Sequence, residues 1–155
     1  MDLTHLLDFD EILIHFVQLA LAFLLALPIG WERQRHSENA LGFRTVPLVA
    51  MTTCAFVILG RVVLDGSQSE ARVLQGVITG IGFLGGGAIV KQGTDVHGIA
   101  TAASIWAMAA LGVATAYDRL EIAFAISLAT FFLLRGLSPM RKEIDNVENG
   151  DEENG

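Results

Sequence analysis

The side chains able to do chemistry in this sequence are few, and they fall into three groups. Glu32, Arg33 and Arg44 bracket a compact charged stretch, Glu32-Arg-Gln-Arg-His-Ser-Glu38. They can form an ionic cluster at one membrane face, the plainer alternative being charge that only orients the chain. His97, Thr101 and Ser104 follow one another at helical spacing. A His/Ser pair suggests nucleophilic catalysis, but these two lie two turns apart with no orienting acid between them, so they make a poor nucleophile and base. Arg72 and the run Gly80-Ile-Gly82-Phe-Leu-Gly85 form the third group. The run fits G-x-G-x-x-G, a dinucleotide fingerprint that needs a preceding strand, a following helix and an acid about twenty positions on. Residues 100–108 hold no carboxylate, and Val90 rather than Gly precedes Lys91, which also excludes a P-loop. No catalytic residue, metal ligand, nucleotide or other cofactor is assigned.

The elements that must position these groups are membrane spans. Hydrophobic residues make up 52% of the chain and the mean hydropathy is +0.52, with long uncharged runs, the composition of an integral membrane protein. Between Arg72 and Lys91 lie eighteen uncharged residues, a helix of about 27 Å against a hydrocarbon core of roughly 30 Å. Six glycines fall in that run, each costing about 1 kcal/mol relative to alanine in a soluble helix. Close backbone packing would offset that cost. Gly76 and Gly80 form one small-xxx-small pair, and Gly82 and Gly86 another. Gly80 and Gly82 point about 200° apart, so the reading is a helix grooved on both sides at the centre of the bundle.

Taken in order, residues 1–11 read as an amphipathic interfacial segment, and residues 12–31 as a first span that stays in the mature protein. Pro28 and Gly30 loosen its inner end. His15 and Gln18, one turn apart, either share a polar contact with another helix or hold an ion. A second span runs from Val46 to about Leu64 with Pro47 in its first turn. Arg61 either snorkels outward or faces the bundle, and Asp65, four residues on, is its simplest helical partner. The glycine helix is third. The fourth span, Gly98 to Tyr117, carries one stripe of Ala103, Ala107, Ala110 and Ala114 and a second of His97, Thr101, Ser104, Met108 and Thr115. The fifth runs from about Leu120 to Leu137, and residues 139–155 read as an acidic disordered cytoplasmic tail. The fold class is therefore an all-α polytopic membrane bundle of about five transmembrane helices, with residues 12–138 as its transmembrane domain.

Charge supplies the orientation. The formal net charge of −7 comes from the two ends, and residues 12–142 hold ten basic residues against seven acids. Seven of those ten (Arg33, Arg35, Arg44, Lys91, Arg135, Arg141, Lys142) fall on the side of the charged loop, and Arg61, Arg72 and Arg119 on the other. The positive-inside rule then puts the N-terminus outside and the C-terminus in the cytoplasm. Nothing in the sequence suggests nucleic-acid binding. Cys54, the single cysteine, excludes an internal disulfide and a Cys-rich metal site.

Several collinear motifs carry a resemblance: Ile29-Gly-Trp-Glu-Arg33, Gly42-Phe-Arg-Thr45, Arg72 before Thr79-Gly-Ile-Gly-Phe-Leu-Gly-Gly-Gly-Ala-Ile89, and Val96-His-Gly-Ile-Ala-Thr-Ala-Ala-Ser-Ile-Trp106. In these, over residues 12–137, the chain resembles the MgtC/SapB family of bacterial inner-membrane proteins. Val46 and His97 stand where the family pattern carries His and Arg, and Glu70 lies only near the acid expected before the third span. The resemblance implies a multi-span protein of the inner membrane tied to magnesium limitation and, in some pathogens, to survival within host cells. It implies a regulator of membrane machinery, with the lipid bilayer, other membrane proteins or a second copy of itself as partners. A small magnesium or ion transporter or channel is the alternative. Magnesium wants oxygen ligands in near-octahedral geometry, whereas Glu32, Asp65, Asp95 and Glu121 all fall at span ends. An intramembrane enzyme comes third for want of a nucleophile and base.

Overall fold

The computed structural model describes residues 9–35, 43–93 and 95–152, with side chains as far as residue 136 apart from Gln92 and Asp95. The expected interfacial segment therefore lies mostly outside the described residues, as does most of the charged loop. Five helices follow one another: α1 Phe9–Arg35, α2 Thr45–Val63, α3 Ser67–Gly87, α4 Ile99–Ala116 and α5 Leu120–Glu152. Between α3 and α4 the chain makes a two-stranded antiparallel hairpin, β1 Val90–Gln92 with β2 Asp95–His97, in the register Val90 opposite His97 and Gln92 opposite Asp95. The all-helical bundle is as expected. Helices α1, α2 and α4 are each long and apolar enough to cross a membrane.

The distribution of side chains identifies the solvent. The buried core is made largely of small residues: Ala22 and Ala26 from α1, Ala50 and Cys54 from α2, Ala114 and Ala116 from α4, and Ala123 from α5, around Ile29, Met108 and Leu111. The large apolar residues Phe16, Phe56, Leu59, Phe124 and Phe132 point outward. In water such a surface would aggregate. In lipid it is the stable arrangement, because Phe and Leu side chains gain nothing by leaving acyl chains, whereas small residues let backbones approach and gain packing.

Helix α4 is the hub. It packs against all four other helices, and its closest partner is α2. The contact depends on Gly112: a Cβ there would collide with the carbonyl of Ala50 and stand 3.0 Å from Thr53 Cβ and 3.1 Å from the Cys54 backbone nitrogen. Gly98, the N-cap of α4, is fixed by conformation and space together. Its φ is +89°, and a Cβ would strike the Ala88 carbonyl group and the Ile89 Cα. The hairpin thus folds back onto the end of α3 before α4 begins.

Several boundaries and faces differ from expectation. Helix α1 continues through Pro28 to Arg35. A proline within a helix removes one bond to the carbonyl four residues earlier and crowds that turn. Beside the disturbed turn, Ser127 of α5 donates a hydrogen bond of 2.7 Å to the carbonyl of Leu25, the kind of side-chain repair that lets membrane helices carry proline. Helix α5 runs on to Glu152 rather than ending near Leu137. Residues 140–148 contain no Gly or Pro and include Met, Arg, Lys and Glu, all good helix formers, so the local sequence supports continuation where its polarity suggested disorder. On α4 the alanine stripe does not pack as a unit: Ala103 and Ala110 face outward, while Ser104, Met108 and Thr115 of the second stripe are buried. His97 itself is exposed in the hairpin.

The glycine helix is not at the centre. Helix α3 packs against α2 and α4 at the edge of the bundle, and only Ile81 and Gly85 are buried on it. Added Cβ atoms at Gly76, Gly80, Gly82 and Gly86 would meet nothing within 4 Å, and Phe83 is 83% exposed. One face of α3 is used and the other is bare. The tight glycine between α2 and α3 is Gly60, where a Cβ would come 2.9 Å from Val73 Cγ1.

This assigns the packing cost to a different glycine. Gly112→Ala should destabilise the detergent-solubilised protein by about 1–3 kcal/mol or more through overpacking against the α2 backbone. Gly80→Ala should leave it unchanged or raise stability by up to about 1 kcal/mol, the helix-propensity gain. Thermal unfolding of both variants beside the parent decides, and equal midpoints for the two would refute the assignment.

Candidate polar site at the basic end

The α1 C-terminus, α2 N-terminus and α4 N-terminus meet at one end of the bundle, where Glu32, Arg33 and Arg44 each take a different direction. Glu32 sits in the last turns of α1, only 4% exposed, and its Oε2 lies 3.8 Å from Arg135 Nη1 of α5. Arg33, the next residue, turns toward α4, where its Nη2 donates to Thr101 Oγ1. Neighbouring positions on a helix point about 100° apart, so one Glu-Arg dipeptide ties α1 to α5 and to α4 at once. Ser104, one turn further along α4, is buried and donates to the carbonyl of Ala100 at 2.7 Å. Its hydroxyl is satisfied within its own helix rather than aimed at a substrate.

Arg44 stands apart from this cluster. It precedes α2 and, with Trp31, Gln34, Arg35 and Phe43, lines an open cleft of about 570 Å³. Phe43 donates its backbone N–H to Gln34 Oε1 at 3.1 Å, and the Trp31 and Phe43 rings meet edge to face at 6.1 Å. Of the remaining candidates, Gly85 is placed by its neighbours: a Cβ there would touch Trp106 and Ala102 of α4. Arg72, Gly80 and Gly82 belong to the outer parts of α3 and are not brought to the site. Among the described residues, no three His, Cys, Asp or Glu side chains gather where a metal ion could be held.

The opposite end carries a second set of polar ties. Gln18 of α1 donates to Asp118 Oδ1 at 2.6 Å, so the helix-contact reading of Gln18 has a structural counterpart. Asp118 has a φ of +58°, a backbone position Asp tolerates better than most residues. Arg61 does not pair with Asp65. Its Nη1 donates to the carbonyl of Ala116 at the end of α4, and its guanidinium lies 5.1 Å from the centre of the Tyr117 ring. Tyr117 in turn donates to Glu70 Oε2 at 3.3 Å. The reason lies in α2, which ends at Val63 with Leu64 extended, so Asp65 is never on the same helix as Arg61. Arg135, Tyr117 and Asp118 were missed as contact residues because each one's partner lies far along the chain on another helix.

With this geometry in hand, relatives can be placed. A sequence model described as the MgtC family matches residues 19–143. The chain belongs to the MgtC family. It is 43% identical to Protein MgtC of Brucella abortus (strain 2308) over 122 residues, 77% of this chain and 50% of that one. It is 34% identical to Protein MgtC of Salmonella typhimurium (strain LT2) over 74% of this chain and 48% of the relative. An uncharacterized Synechocystis protein is 42% identical over 62% of the chain and 40% of its own length. The chain thus spans about half the length of the curated relatives it matches. No solved structure matches it. The resemblance read from the motifs is correct at the level of family, and the MgtC-family match runs from within α1 into α5.

The two hydroxyls on α4 have different duties, and a pair of variants separates them. Thr101→Val removes the acceptor for Arg33 and should cost about 1.5–3 kcal/mol, the worth of a hydrogen bond to a charged group. Ser104→Ala removes a bond within one helix and should cost about 1 kcal/mol or less. Chemical or thermal unfolding in detergent measures both. Equal losses, or a larger one at Ser104, would show that Arg33 is not anchored through Thr101.

Proposed function

We propose that this MgtC-family chain is a non-enzymatic regulator of membrane machinery, working by helix–helix contact in the bacterial inner membrane during adaptation to low magnesium. One observation carries the reading: several polar side chains within the bundle tie one helix to another. Glu32 faces Arg135, Arg33 reaches Thr101, Gln18 reaches Asp118, and Ser127 reaches the Leu25 carbonyl. A transport path would instead need polar groups turned toward a passage and able to replace hydrating water. The name Protein MgtC belongs to the relatives, and the connection to magnesium limitation is what the family resemblance implies. Its partner is another membrane protein or a second copy.

The same reading has α3 and α5 crossing the bilayer beside α1, α2 and α4, giving five crossings with the N-terminus outside and the C-terminus in the cytoplasm. The seven-to-three division of basic residues supports that orientation.

Two measurements test the proposal. Purified protein in liposomes should give no saturable, protein-dependent magnesium uptake, and such uptake would overturn the regulatory reading in favour of a transporter. For topology, single cysteines are introduced on a Cys54→Ala background. Ser67→Cys should react with an impermeant reagent added outside cells, and Ser37→Cys and Glu148→Cys should be protected. Labelling of either of the last two, or protection of the first, would invalidate the orientation.

A further inference from the structure

The cleft beside the basic end is not absorbed by the regulatory reading, and its lining has a specific chemistry. Two exposed guanidinium groups, Arg35 and Arg44, stand on either side of the chain reversal between α1 and α2. Among the described residues no carboxylate lines the cleft, and neither Arg has an ion-pair partner. Among the described residues nearby, the acid Glu32 is buried and turned toward Arg135. Arg35 is held over the Trp31 ring at 5.6 Å from its centre, and Trp31 is held edge to face by Phe43. Both aromatic rings remain about half exposed.

Each feature has a membrane meaning. Tryptophan concentrates at the headgroup level, where an apolar body and a polar edge are both accommodated. Guanidinium groups recognise phosphate through paired N–H donors. Arg35 is pre-positioned by its stacking on Trp31, which reduces the ordering cost of binding. A volume of about 570 Å³ exceeds what a lone phosphate would fill and suits a headgroup with the first part of an acyl chain.

We propose that this cleft binds an anionic phospholipid, with its headgroup phosphate between Arg35 and Arg44 and the upper part of a chain along Trp31 and Phe43. Charge complementarity selects the anionic lipid over a zwitterionic one: in the latter the ammonium group of the headgroup would sit among two guanidiniums that repel it. The aromatic wall selects a lipid over free phosphate, which has no use for it. The proposal goes beyond the regulatory reading and does not depend on it.

Native mass spectrometry of the detergent-solubilised protein, titrated with phosphatidylglycerol, phosphatidylcholine or inorganic phosphate, tests the site. Phosphatidylglycerol should be retained preferentially. Since each basic residue facing anionic lipid contributes a factor of about five, the double variant Arg35→Gln/Arg44→Gln should weaken retention about tenfold or more. Arg119→Gln, at the far end, should leave it unchanged. Equal retention of the two lipids, undiminished retention in the double variant, or binding of inorganic phosphate as tight as that of the lipid would each overturn the proposal. If the double variant fails to fold, a second measurement decides with both arginines in place. With the other tryptophan removed by Trp106→Phe, Trp31 fluorescence in vesicles should be quenched more by chain-brominated phosphatidylglycerol than by an equal fraction of brominated phosphatidylcholine. Equal quenching would refute the preference.

Discussion

The approach of α4 to α2 at Gly112 is the contact from which the rest of the bundle follows. Lipid removes the ordinary driving force for burying apolar side chains, so helices associate only where their surfaces fit closely or exchange hydrogen bonds. Gly112 lets the α4 backbone lie against Ala50, Thr53 and Cys54 with no side chain between. With α4 seated there, its remaining faces are presented to α1, α3 and α5. The small residues of those helices then complete the core, and Ala22, Ala26 and Ala123 are buried completely. A core made mainly of alanine works only because helix axes are close, and their closeness is set first by the one glycine.

Polar ties at the two ends keep the close-packed helices in register. Packing of small residues is nearly smooth along a helix axis and by itself resists sliding poorly. Hydrogen bonds in a poorly hydrated setting resist it better, because a displaced partner is left unsatisfied. At the basic end the ties run from α1 to α4 and α5. At the other end α1 is tied to Asp118, and α2 and α3 converge on the end of α4 through Arg61, Tyr117 and Glu70. Arg61 also places a cation on the carbonyl end of α4, where the helix dipole favours it. The α4 helix is thus gripped at both ends as well as at its middle.

How much of this could be read from the letters depends on the kind of signal. The crossings of α1, α2 and α4 were legible because uncharged length alone marks them, and their ends fell within a few residues of the expected ones. The family was legible from motifs spread over several helices. Which faces pack was not. A helix apolar all round carries no 3.6-residue contrast between inside and outside, so Ala103 and Ala110 looked as suited to the core as Ala114, and only Ala114 is buried. Gly112, a lone glycine, gave no pattern to notice. At the site, Glu32 and Arg33 stand out in the sequence only as charges at a span end, because their partners Arg135 and Thr101 lie on helices whose placement local sequence does not specify.

The misplacement of α3 comes from reading each glycine's cost as a sign of a neighbour packed against it. In water, glycine weakens a helix partly because it leaves more freedom to the unfolded chain and partly because its backbone is open to competing solvent. That cost, about 1 kcal/mol per residue, is small enough for the rest of the helix to carry without a neighbour against each glycine. Gly76, Gly80, Gly82 and Gly86 accordingly sit with open space where a Cβ would be. Spacing of the small-xxx-small kind states that a close approach is permitted. Whether it is used depends on what the opposing helix offers, and within this chain α2 and α4 meet α3 along the side of Val73, Leu74, Ile81 and Gly85. The glycines that bear load, Gly60, Gly98 and Gly112, are those with another backbone or side chain already standing in the space.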